Sequence, residues 1–184
     1  MGAHGFVDLW EGSMILRVGI LTVSDRSARG ERPDASGPAL QQAVAQQGWQ
    51  IVRTAILPDD FTSIQELLST WCDTAAVDIL LTTGGTGFAR RDITPEATMA
   101  VVERPAPGLA EAMRAASLRI TAHAMLSRAV AGIRNRTLII NLPGSPRAAV
   151  ENLEVIIPVL PHAVQLLQED PGAENSHRVP SQNE

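Results

Sequence analysis

Residues 78–87 read DILLTTGGTG, and this stretch decides the fold. Its apolar and β-branched run is too short for a helix and too uniform for a strand with one wet face, so it reads as a strand buried on both faces. Three glycines within the next four residues end it in a tight backbone turn. The run RVGILTV at 17–23 has the same character, and 51–57 makes a further strand. Downstream, apolar runs at 130–134 and 137–141 meet at Asn135-Arg136, a two-residue link that permits an antiparallel hairpin although its turn chemistry is weaker than Asn-Gly.

Helical signals fall between these runs. Residues 38–47 have Pro38 in the first turn and Gly48 just past the end. Thr62-Ser63-Ile64-Gln65 has the spacing of a capping box and opens a helix reaching roughly residue 75. Thr94-Pro95-Glu96 supplies a cap, a first-turn proline and a first-turn acid. Residues 108–119 form another helix, and Arg147 opens a last helical stretch interrupted near Pro158 and Pro161. Alternating buried strands and helices predict an α/β fold: three α/β/α layers, a mainly parallel central sheet and a short antiparallel hairpin. One domain is expected over 14–170, with 1–13 a flexible extension and 171–184 a disordered polar tail.

The chain has 184 residues, 45% of them hydrophobic and 19% charged, the balance of a globular protein with one core. Cys72 is its only cysteine, which excludes an internal disulfide and multi-cysteine metal sites. All 15 basic residues are arginine, so no lysine is present for a P-loop, a Schiff base or a lysyl-adenylate. A net charge of −5 argues against nucleic-acid binding. No apolar run reaches the roughly 18 to 20 residues of a membrane span, and the N-terminus lacks signal-peptide features. A cytoplasmic protein without a membrane partner is expected.

In a parallel sheet, ligands bind outside the carboxyl ends of the strands. Four loops belong there: the one opening with Ser24 and Asp25, the one holding Asp59, the glycine loop with Asp92, and the one from Asn141 to Ser145. Gly84, Gly85 and Gly87 can present amides to an anion, with Thr83 and Thr86 adding hydroxyls, or can simply make a sharp turn. Asp59 and Asp92 suit magnesium, which takes one or two carboxylates plus substrate phosphates, or they cap the helices that follow. Asp25 either orients a ligand or ends its strand. Arg90-Arg91 either neutralises phosphate or forms a solvated pair. Asn141, Pro143, Gly144 and Ser145 either grip a base or ribose or make a plain turn. Cys72 reads as a packing residue.

The run TTGGTGFARRDITPEAT at 82–98 resembles the signature of the molybdopterin adenylyltransferase family of molybdenum-cofactor biosynthesis. Three further stretches agree with that family in order and position: 17–40, ILPDD at 56–60, and INLPGSP at 140–146. The resemblance implies a homotrimer that uses Mg-ATP to adenylylate the terminal phosphate of molybdopterin, releasing pyrophosphate. It places the family's two essential acids, and with them the magnesium, on Asp59 and Asp92. Nucleotide and pterin contacts fall on Ser24, Asp25, Thr83, Gly84, Gly85, Thr86, Gly87, Asn141, Pro143, Gly144 and Ser145. The product would pass to a molybdenum-insertion partner. Phe88 departs from the small residue or proline usual in such relatives, and Arg147 stands where some carry lysine. Two other readings remain: a protein that binds the pterin or scaffolds without turnover, as in the related gephyrin domain, or a nucleotide pyrophosphatase.

Overall fold

A computed structural model describes residues 15–169; the expected extension and tail lie outside the described residues. The chain runs β1 (Arg17–Val23), α1 (Asp25–Ala28), α2 (Ser36–Gln46), β2 (Gln50–Leu57), α3 (Phe61–Asp73), β3 (Ile79–Thr83), α4 (Thr94–Met99), β4 (Arg104–Pro105), α5 (Pro107–Leu118), β5 (Ala131–Arg134), β6 (Thr137–Leu142), α6 (Pro146–Ile156) and α7 (Leu160–Leu167). Short 3₁₀ turns occupy Ala122–Leu126 and Ile157–Val159. The six strands form one sheet in the order β2-β1-β3-β6-β5-β4. β2, β1, β3 and β6 are mutually parallel, while β4–β5 and β5–β6 are antiparallel. The expected three-layer α/β architecture with its hairpin is therefore present.

Alternation along the strands divides the expected single core into two clusters, one on each face of the sheet. Val18, Ile20, Ile79, Leu81, Leu138 and Ile140 face the layer containing Leu40, Met113, Leu153 and Leu160. Leu21, Val23, Leu80 and Ile139 face Ile64, Leu68, Trp71 and Ala97. Helices thus cover both faces, which is what lets the central strands be apolar throughout.

Several local expectations are corrected. α2 starts at Ser36, not Pro38, because Asp34 accepts the N–H groups of Ser36 and Gly37, both at 3.0 Å. α3 is capped by Asp60, which takes Ser63 N–H at 2.9 Å, and not by a box at Thr62. Thr94 lies inside α4; its hydroxyl donates to Gly84 O at 2.9 Å and caps nothing. α1 and β4 carried no sequence signal. The hairpin forms as expected, with Asn135 in the left-handed region at φ 52°. Its N–H donates to Glu103 at 2.9 Å and its amide to Asp73 at 2.9 Å, which fixes a turn of weak intrinsic chemistry.

The sequence reading of membrane-length runs also needs amendment. Pro146–Leu167 spans 22 residues with a mean hydropathy of 1.2, enough by length and composition to cross a bilayer. Leu153, Ile156, Leu160 and Val164 from this stretch are buried in the core on the sheet, while Val155, Val159 and Leu166 are exposed.

Candidate active site

β1 connects outward to β2 on one side, and β3 lies on its other side, so the strand order reverses between β1 and β3. A crevice at such a switch point is the expected ligand site of a parallel sheet. Here the ends of β1, β3 and β6 crowd together. Gly84 N–H donates to Leu142 O at 3.2 Å, continuing the pairing beyond β3. Gly84 has φ +99°, and a Cβ there would meet Val23 O at 2.2 Å. Gly85 has φ +64°, and its Cβ would meet Thr94 Oγ1 at 2.3 Å and Asp59 Oδ1 at 2.9 Å. These glycines are required by the protein's own close packing, before any ligand arrives.

The crevice holds about 550 Å³ and is lined by Ser24, Asp59, Gly84, Gly85, Asp92 and Gly144 among the anticipated residues. Thr86, Gly87 and Pro143 open instead on a second cavity of about 290 Å³, whose walls include Met113, Ser127 and Leu126. The glycine loop is therefore a partition with a polar hollow on one side and a mainly apolar one on the other. Asp25 does not line the crevice but bonds to Asp59, which does. Thr83 is buried, its hydroxyl donating to Pro143 O at 2.7 Å. Asn141 is buried too: its amide donates to Thr82 and Thr98 hydroxyls, both at 2.9 Å, and its carbonyl accepts Val130 N–H. Ser145 is the exposed residue before α6, and its side chain makes no capping bond.

Asp25 and Asp59 are locked together. Asp25 N–H donates to Asp59 Oδ2 at 3.0 Å, and Asp59 N–H returns a bond to Asp25 Oδ1 at 3.1 Å. Arg91 closes on both Asp25 oxygens at 2.9 and 2.7 Å. The two carboxyls respond oppositely. The Arg91 guanidinium holds Asp25 below the usual carboxylate range. Burial pushes Asp59 above it, with the neighbouring charges of Asp25 and Asp92 adding to the rise. Arg91 is thus a partner of Asp25, a role that neither of its sequence readings anticipates. Arg90 is exposed.

Asp92 Oδ2 accepts Ala89 N–H at 2.9 Å, folding the loop back on itself. Asp59 and Asp92 each keep one carboxylate oxygen without a hydrogen-bond partner among the described residues, and both line the same crevice. That donor set fits a divalent cation shared with substrate phosphates. Among the described residues no three His, Cys, Asp or Glu side chains gather into a complete metal cage.

Two residues escaped the sequence reading. Asp34 lines the crevice and accepts from the Thr22 hydroxyl at 2.6 Å as well as from the start of α2. An Asp two residues before Ser-Gly was a legible capping signal, overshadowed by Pro38. Arg128 reaches the glycine loop from the far side, donating to Gly87 O at 2.7 Å and to Asp92 O.

Residues 19–162 match the family model described as "Probable molybdopterin binding domain". The chain is 42% identical over 154 residues to a Helicobacter pylori protein named molybdopterin adenylyltransferase, covering 83% of this chain and 88% of that one. It is 42% identical over 173 residues to gephyrin of Dictyostelium discoideum, covering 88% of this chain but 24% of gephyrin, so it spans about a quarter of that longer relative. The crystal structure of the molybdopterin biosynthesis enzyme MoaB from Thermus thermophilus superposes with a TM-score of 0.80 at 50% identity, over 85% of this chain and 99% of that one.

Proposed function

This chain belongs to the molybdopterin-binding-domain family, and from that membership we propose that it is a molybdopterin adenylyltransferase acting in molybdenum-cofactor biosynthesis. The observation that carries the reading is the pairing of Asp59 and Asp92 across one crevice at the strand switch point, beside a backbone turn that no side chain can enter.

In the proposed reaction an oxygen of the terminal phosphate of molybdopterin attacks the α-phosphorus of ATP. A new P–O bond forms, the bond to the β-phosphate oxygen breaks, and pyrophosphate departs with that electron pair. No covalent enzyme intermediate is needed, so the protein acts by positioning and electrostatics. Backbone at Gly84 and Gly85 borders the phosphates, and Ser24 stands at the same rim. Asp59 and Asp92 would hold magnesium, which offsets phosphate charge when bound. Asp25, ionised and clamped by Arg91, keeps Asp59 in place through the reciprocal backbone bonds. The apolar hollow behind Thr86 and Gly87 offers a flat ligand contact area separate from the charged crevice.

A homotrimer, a cytoplasmic location and delivery to a molybdenum-insertion protein complete the proposal. The trimer and the delivery rest on the family resemblance, and the location on the lack of signal-peptide features in the sequence. Light scattering that gave a monomer or dimer mass would remove the trimer.

Incubation with Mg-ATP and molybdopterin, followed by mass spectrometry, tests the reaction itself. Adenylylated pterin and pyrophosphate in equal amounts are expected. Bound pterin with no adenylylated product would favour a binding role, and hydrolysis of a nucleotide pyrophosphate without transfer would favour the pyrophosphatase.

A further inference from the structure

The segment between Gly87 and Asp92 makes two attachments of its own, Arg91 on the Asp25 carboxylate and the turn between Ala89 and Asp92. Phe88, Ala89, Arg90 and Arg91 are all exposed, and Phe88 is 67% accessible. Yet Asp92 must stand at a definite place in the crevice if it is to meet phosphates. Arg128 adds a restraint on the carbonyls at both ends. Its N–H donates to Thr86 O at 2.9 Å, its Nε to Gly87 O at 2.7 Å, its Nη2 to Asp92 O, and its Nη1 to the Glu96 carboxylate in the first turn of α4. Neither the Gly87 nor the Asp92 carbonyl has another hydrogen-bond partner among the described residues. One guanidinium thus ties both ends of an exposed segment to each other and to the helix that follows.

We infer that Arg128 is a positioning residue for Asp92: by bridging the carbonyls of Gly87 and Asp92 and anchoring on Glu96, it sets where the Asp92 carboxylate stands in the crevice. The inference rests on the adenylyltransferase reading for its catalytic consequence, though not for the clamp. The planar fork of arginine is what makes the arrangement possible, since its five donors lie in fixed directions. A lysine in this position would carry the same charge as a single point and could serve one acceptor well. Arg128 makes no contact with the Asp92 carboxylate itself, so it acts through the backbone. Ser127, its chain neighbour, lines the apolar cavity on the far side of the loop, and the clamp therefore sits in the wall between the two hollows.

The test compares the full chain with Arg128→Ala, Arg128→Lys and Glu96→Gln by hydrogen exchange without substrates and by adenylylation kinetics. In Arg128→Ala, exchange of the Ala89 and Asp92 amides, the two in the segment that donate hydrogen bonds, should quicken about tenfold, while those of β3 and β6 keep their protection. Turnover should fall about thirtyfold with the KM for ATP changed less than about threefold, as expected when a reacting group is misplaced and binding is not. Because the Arg128 side chain is 33% accessible, millimolar guanidinium should restore part of the turnover to Arg128→Ala and none to Asp92→Asn. Arg128→Lys should lie between parent and Ala. Glu96→Gln removes only the outer anchor and should shift both readouts in the same direction by about threefold, which keeps the inference testable if Arg128→Ala does not fold.

Unchanged exchange in the loop of Arg128→Lys and Glu96→Gln would overturn the clamp. So would turnover lost in proportion to folded protein, with no guanidinium rescue, because that is merely structural support. A parent chain that shows the loop exchange pattern but adenylylates nothing would overturn the proposed function and leave the clamp standing.

Discussion

At the amino ends of the parallel strands a hollow of about 790 Å³ is lined by Arg17, Asp73, Asp78, Arg136 and Glu169, whereas the crevice at the carboxyl ends measures about 550 Å³. Both are polar, and the larger is the one without a proposed reaction. Each acid at the amino end faces an arginine: Asp78 meets Arg17 at 2.7 Å, Asp73 meets Arg134 at 2.8 Å, and Glu169 meets Arg136 at 3.4 Å. At the carboxyl end Arg91 matches Asp25 and Arg128 matches Glu96, and neither of those acids lines the crevice. Among the described residues Asp34, Asp59 and Asp92, the acids that line it, make no ion pair, and the charge of Asp92 adds to the raised pKa of Asp59. Volume is therefore a poor guide here, and uncompensated charge is a better one. On the proposed reading, the end that would receive a metal and phosphates keeps unpaired carboxylates, and the end that only closes the sheet pairs them.

The sharpest way to break this contrast is Asp59→Asn. An amide oxygen can still accept Asp25 N–H, so the local fold survives, while the charge is lost. Turnover should fall about a hundredfold, the scale of about 3 kcal/mol for one transition-state electrostatic contact. Stability should move the other way. Burial raises the Asp59 pKa in the folded chain, so the ionised carboxylate costs folding free energy above that pKa and the cost disappears as pH falls through it. At neutral pH the Asn variant should therefore melt no lower than the parent, and any gain should vanish in acid. Thermal melts across pH check this, and a large loss of Tm would mean that Asp59 is structural.

At the amino end the expectation reverses. Asp78 is buried and accepts from Arg17 N–H at 2.8 Å, from the Arg17 guanidinium, and from Gln168 at 3.2 Å. Asp78→Ala should cost about 2 kcal/mol of stability, read by urea denaturation, and leave kcat of the remaining folded protein near normal. A selective loss of turnover there would erase the distinction between the two ends.

The smallest effect is a displacement of the acid limb of turnover. Asp59 sits above the ordinary aspartate value of about 3.9 and Asp25 below it, for the reasons of burial and the Arg91 pair. Activity should decline as pH falls through the raised Asp59 value, while Asp25 is still ionised. The stability contributed by Asp25 is present above the ordinary value and is lost only as pH falls through its depressed one. A rate that held constant down to the range of an unperturbed carboxyl would contradict the assignment.

Much of this was legible in the chain. The run at 78–87 gives a buried strand and its glycine turn because both depend on neighbours in sequence. Helix starts were less legible, since several residues compete to cap one end. At α3, Asp60 prevails over Thr62, and at α2, Asp34 moves the start ahead of Pro38. Asn141 illustrates a different limit. A polar residue in an apolar strand next to Leu-Pro-Gly looks like a ligand grip, yet among the described residues its side-chain amide bonds only with Thr82, Thr98 and Val130. Arg128 was invisible because its partners are backbone carbonyls some 36 and 41 residues away, and no side-chain pattern marks a carbonyl.

The central claim is that the unpaired acids at the carboxyl end handle the phosphates, and Asp92→Asn tests it most directly. The amide oxygen can still accept Ala89 N–H, so the loop keeps its internal bond, and folding should change by no more than about 1 kcal/mol. Adenylylated pterin formed from Mg-ATP, counted per folded protein, should drop at least about a hundredfold while pterin binding persists. An Asn variant that forms product at the parental rate, or that loses product only because it unfolds, would contradict the account.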